Sequence, residues 1–111
     1  MNRVLLFVLF SGLVLFISCT KDKFETDPCL LVSYVETVRP LVETKCAITG
    51  CHVSGFQPGD FTSYEVLKKK ADEGKIQLMV FNLGIMPPDK NLTEGEKTNL
   101  KCWIESGASN E

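Results

Sequence analysis

Three stretches of the chain carry apolar residues at helical spacing. Each opens with a hydroxyl residue three positions ahead of a glutamate: Ser33 with Glu36, Thr62 with Glu65, and Thr93 with Glu96. Such a pair can satisfy two of the free amides at a helix start, so each marks a predicted N-terminus. In the first stretch Val35, Val38, Leu41 and Val42 share one face, with Leu31 just before them. Pro40 lies inside that pattern. A proline in a regular helix interior costs about 3 kcal/mol, so the sequence predicts either a kink or an extended start with a helix beginning at Pro40. In the second stretch Tyr64, Val66, Leu67 and Ala71 recur, and Gly74 is the expected stop. In the third, Leu100, Trp103 and Ile104 form one apolar face that ends near Ser106 and Gly107, and Trp103 is expected in the core against the first helix. Ile76 to Leu83 is short and apolar. Periodicity does not decide its type, and a short helix fits its helical neighbours best. Residues 47–50, 53–60 and 84–89 are rich in glycine or proline and read as loops. The pattern is that of an all-α domain of three to four helices.

The first residues stand apart. Arg3 is followed by an apolar run from Val4 to Ile17, of signal-peptide length and short for a bilayer span. The run ends in Ser18-Cys19, which resembles the lipobox of bacterial lipoproteins. That likeness implies cleavage after residue 18 and a lipid on Cys19, against an ordinary signal peptide or an uncleaved anchor. The organisation expected is a signal peptide at 1–18, a lipidated tether at 19–30 and one domain at 31–111. Loss of Arg3 takes the formal charge from −2 to −3. A mildly acidic chain with no basic patch argues against nucleic acid as a partner. Lys68, Lys69 and Lys70 read as a solvated helix face.

The candidate chemistry lies in Lys45-Cys46-Ala47-Ile48-Thr49-Gly50-Cys51-His52, which holds two of the five cysteines and the single histidine. A histidine directly after the second of two close cysteines is the arrangement of covalent haem attachment. Two thiols add across the vinyl groups, and the adjacent imidazole is placed under the iron. The usual motif is C-x-x-C-H, whereas four residues, Ala47 to Gly50, lie between these cysteines. With Cys19 assigned to lipid and Cys46 and Cys51 to haem, Cys29 and Cys102 remain. In an oxidising compartment they suggest a disulfide, against two free thiols or a link to another molecule. Three other readings compete for the central stretch. One is a zinc site drawing four ligands from Cys29, Cys46, Cys51, Cys102 and His52. The others are a disulfide scaffold that pairs Cys46 with Cys51, and an iron–sulfur cluster.

A second iron ligand cannot be histidine within one chain, because His52 stands alone. Met86 lies on the Gly84-Ile85-Met86-Pro87-Pro88-Asp89 loop, where two prolines stiffen the backbone. Met79 lies in an apolar segment and is the less favoured choice. The segments CAITGCH, IMPP and LTEGEKTNLKCWIESGA resemble small class I cytochromes c. They are most similar to a bacterial lipoprotein branch with widened cysteine spacing and a tail of the form MPP, Leu, Glu, Trp-Ile, Gly-Ala. The likeness covers about Ser33 to Ala108. It implies thioethers at Cys46 and Cys51, His52 as proximal and Met86 as distal iron ligand, and a few helices wrapped around one haem c. It further implies that the first and last helices cross, with Leu41 or Val42 meeting Trp103.

The expected function is that of a one-electron carrier with His/Met ligation, which raises the reduction potential. A six-coordinate iron leaves no open substrate position, so no enzyme turnover is expected. The expected partners are redox proteins and, through the Cys19 lipid, a membrane, with the domain itself a monomer. The implied place is the bacterial cell envelope, at the periplasmic face or the outer membrane. The alternative is a haem-free, disulfide-stapled lipoprotein acting as an interaction module. A third reading leaves Met86 off the iron and makes a five-coordinate sensor or peroxidase-like protein.

Overall fold

The computed structural model describes residues 26–111, so the leader, the Cys19 lipidation site and most of the tether lie outside the described residues. The described chain is mainly helical, and no strand occurs among the described residues. No described helix is long and apolar enough to cross a membrane.

The chain enters through a 3-10 turn at Pro28–Leu31, which falls across the expected boundary between tether and domain. Asp27 caps it by accepting the Cys29 amide at 2.9 Å. The first helix then begins at Ser33, whose hydroxyl accepts the Glu36 amide at 3.1 Å. The α-helix begins next to Pro40, as one of the two expectations had it, but the residues before it are not extended. Instead Tyr34–Val38 forms a π-helical turn, in which the Val38 amide reaches the Ser33 carbonyl and the Arg39 amide reaches that of Tyr34. The wider turn inserts a residue ahead of the proline. The α-helix α1, Arg39–Lys45, then starts with Pro40 in its first turn, where proline's fixed φ suits the helix.

The second helix, α2, runs Tyr64–Asp72 and corrects the expected cap by one residue. Ser63, not Thr62, accepts the Val66 amide. Thr62 is drawn away by Asp60, whose carboxylate takes both its amide and its hydroxyl. Gly74, at φ +70°, ends α2 as expected. The apolar stretch after it is helical, but Gln77–Asn82 winds as a second π turn. The third helix, α3, spans Glu94–Glu105, and its capping box is complete. Thr93 accepts the Glu96 amide at 3.2 Å while Glu96 accepts the Thr93 amide at 2.7 Å.

The core gathers residues from the first π turn, the three α-helices and the segments between them: Tyr34, Val38, Leu41 and Val42, then Leu67 and Ala71, then Ile76, and Leu92, Leu100 and Trp103. Trp103 is 1 % exposed, and its indole donates to the Ser109 carbonyl at 2.8 Å. The last helix packs on the π turn Tyr34–Val38, with the rings of Tyr34 and Trp103 5.8 Å apart. Leu41 and Val42 belong to the same core. Cys29 and Cys102 are bonded, with their Cα atoms 5.1 Å apart, and so fasten the opening turn to α3. The lysine run is a solvated face: Lys68 pairs with Asp72, and Lys69 and Lys70 with Glu73.

Candidate functional site

The end of α1 builds the site. Both the Cys46 and the Ala47 amides close on the Val42 carbonyl, so the helix stops at Lys45 and Cys46 leaves it at a fixed angle. The chain then loops back on itself. The Cys51 amide donates to the Ile48 carbonyl at 2.9 Å, and the His52 amide donates to the Cys46 carbonyl at 3.0 Å. Gly50 takes φ +82°, a backbone state costly for other residues, and this lets the loop close. The widened cysteine spacing is thereby a closed loop with both thiols at its base. Cys46 and Cys51 are free and partly buried. Burial, reinforced by the neighbouring Cys51, pushes the Cys46 thiol up to about 11. At neutral pH it is held as the protonated thiol.

His52 is oriented from both sides. Its Nδ1 lies 3.1 Å from the Gly59 carbonyl oxygen. A carbonyl can only accept, so Nδ1 carries the proton and Nε2 keeps its lone pair. The ring lies flat on Phe61, with centroids 3.9 Å and planes 3° apart, and Phe56 meets it edge-on at 5.1 Å. Burial lowers the His52 pKa, with the Gly59 bond opposing in part, so the ring is neutral at neutral pH. A neutral imidazole with one fixed N–H and one free lone pair is the state a metal requires of it.

Gly59, Phe61 and Phe56 were not visible as site residues in the sequence. Gly59 acts through a backbone carbonyl, which no residue type advertises. Phe61 carried a weak signal, as a lone apolar residue just beyond the Pro58-Gly59 turn. It is brought in by its own amide, which donates to the His52 carbonyl at 2.9 Å.

Met86 sits on the expected loop and is 36 % exposed. Its amide and that of Ile85 both donate to the Met79 carbonyl, which fixes the loop to the second π turn. The loop is linked to the cysteine segment through Lys45, whose ammonium donates to the Asn91 carbonyl at 3.2 Å. Leu78, Leu83, Ile85 and Met86, and Ile48 and Phe56 of the cysteine–histidine segment, are large apolar side chains left exposed.

Two free thiols, an imidazole with Nδ1 bonded and a thioether on the Met86 loop are the donor types that a covalent haem would take, and all are present among the described residues. The set fits zinc less well. The Cys29–Cys102 bond removes two of the five proposed ligands and leaves three. Among the described residues no group of three or more His, Cys, Asp or Glu side chains stands ready to hold a metal ion. No protein-family model, no curated protein and no solved structure matches the chain.

Proposed function

We propose that the protein is a one-electron carrier holding a single haem c, attached through Cys46 and Cys51 and ligated by His52 and Met86. The observation that carries this reading is the His52–Gly59 hydrogen bond, which leaves Nε2 with its lone pair in the segment that also carries the two unbridged cysteines, while the other two described cysteines are joined. When bound, haem c supplies one-electron redox chemistry at iron, tuned by its axial ligands. The chain's own residues do the rest. Gly59 and Phe61 hold the imidazole plane, and the Gly59 carbonyl keeps the proton on Nδ1 in both redox states. The Met79 carbonyl fixes the Met86 backbone. Phe56, Ile48 and the exposed residues at 78–86 supply apolar cover, which disfavours water at the iron.

With both axial positions taken, the carrier turns over no substrate. A lipid on Cys19 tethers it in the bacterial cell envelope, at the periplasmic face or outer membrane, where a mildly acidic monomer meets redox partner proteins. Optical spectra of the protein, matured in a host with a haem-attachment pathway, test the proposal. The expected result is a low-spin c-haem spectrum that survives acid–solvent extraction in the native chain. Extraction should remove haem from the Cys46→Ala, Cys51→Ala double variant. A native protein without that spectrum contradicts the proposal.

A further inference from the structure

Lys45 ends α1 directly before Cys46, yet its side chain turns back across the fold and is only 25 % exposed. Its ammonium donates to the carbonyl of Asn91, 46 residues away, at 3.2 Å, and lies 3.9 Å from Glu96 Oε1. The other carboxylate oxygen of Glu96 is occupied by the Thr93 amide at the start of α3. One lysine therefore joins three elements: the helix end that delivers Cys46, the rear of the loop that carries Met86, and the N-terminus of the last helix.

The Met86 loop is held differently at its two ends. At the front, the amides of Ile85 and Met86 donate to the Met79 carbonyl. At the rear, the polar contacts of Lys90 and Asn91 within the loop are local, from the Lys90 amide to Pro87 and from the Asn91 side chain to Asp89. A turn held only by its own local bonds opens readily and can swing. Two contacts oppose that swing: the buried side chain of Leu92 and the charge-assisted bond from Lys45.

We infer that Lys45 is a positioning residue: it sets the span between the segment carrying Cys46, Cys51 and His52 and the loop carrying Met86. The inference rests on the proposed reading of Met86 as an iron ligand. Loss of the tie leaves the thioethers and His52 intact and loosens only the distal side, so an added ligand competes more easily with Met86.

The test compares the native protein with Lys45→Met, which keeps the apolar stem and removes the donor. Glu96→Gln, which keeps an acceptor for the cap but drops the ion pair, is the second variant. Lys101→Met serves as the control, because Lys101 is exposed and, among the described residues, pairs with Glu105 alone. Titration of the ferric proteins with imidazole is expected to give about tenfold tighter binding for Lys45→Met and a smaller gain for Glu96→Gln. No change is expected for Lys101→Met. Amide hydrogen exchange reads the tie without iron, and the Lys90 amide of Lys45→Met is expected to exchange about tenfold faster. Unchanged imidazole affinity in a haem-loaded Lys45→Met protein overturns the inference and leaves the carrier proposal standing. If the native chain carries no haem, the carrier proposal fails instead, and unchanged exchange at Lys90 then overturns the tie.

Discussion

His52 Nδ1 and the Gly59 carbonyl oxygen are 3.1 Å apart, and this one bond decides which ring nitrogen keeps its lone pair. Gly59 also sits at φ +132°, where a Cβ would come within 3.1 Å of Val66 Cγ1 and 3.2 Å of Phe61 Cε1. Gly59→Ala therefore strains the backbone and presses on the ring that stacks against His52. The expected outcome is a loss of about 1–3 kcal/mol in denaturant unfolding, together with a shifted reduction potential in the haem-loaded protein. A conservative change at the exposed loop position Gln57 is expected to move neither quantity.

The Cys29–Cys102 bond closes a loop spanning 73 positions. On the chain-entropy estimate such a link is worth about 4 kcal/mol. Urea unfolding of the Cys29→Ser, Cys102→Ser double variant is expected to show a loss of that size. Because the bond fastens the entry turn to α3 and not to the cysteine–histidine loop, haem attachment should persist in whatever fraction folds.

Trp103 is nearly sealed from solvent, touches the Tyr34 ring and satisfies its indole N–H on Ser109. Truncation to alanine removes the largest side chain of the core and is expected to cost about 3–5 kcal/mol. The melting curve checks this directly. Tyr64→Phe is milder. It deletes the phenol bond to the Ala108 carbonyl at 2.9 Å and should cost about 1 kcal/mol.

The pH dependence follows from the caps. The Thr93 amide donated to Glu96 holds its carboxyl below the ordinary 4.5, with the Thr93 hydroxyl and Lys45 adding to it and desolvation opposing. Glu65 is lowered as well, by its own backbone amide and then by the Ser63 hydroxyl. For both groups the folded value lies under the unfolded one, so the native state binds fewer protons. Their stabilisation is complete above the unfolded value and is lost as pH falls through the folded value. The urea midpoint is therefore expected to be flat above 4.5 with respect to these two groups and to fall below it. Glu96→Gln should flatten part of that acid limb.

Helix starts were legible in the sequence where a cap competes with nothing: Thr93 and Glu96 form the full box their spacing implies, while Ser33 caps the Glu36 amide without a return bond from the Glu36 side chain. The cap of α2 moved from Thr62 to Ser63 because Asp60, two residues earlier, captures Thr62 first. Pro40 announced a conflict but not its outcome. A kink, an extended start and a π turn all accommodate a proline, and packing of Tyr34 and Val38 into the core selects the last. The Cys29–Cys102 pair followed from counting thiols, which needs no geometry. The supports of His52 did not follow, since a backbone carbonyl at 59 and a ring stacked face to face emerge only after the chain has turned. The Lys45–Asn91 tie was hidden for the same reason: a side chain meeting a distant main-chain oxygen leaves no pattern in residue types.

Intact mass of the matured, membrane-extracted protein tests the central claim most directly. The account predicts a chain that starts at Cys19 and carries acyl groups. It should be heavier by one haem that acid solvent does not strip, and lighter by two hydrogens for the Cys29–Cys102 bond. A colourless protein whose Cys46 and Cys51 are free or joined to each other would contradict it.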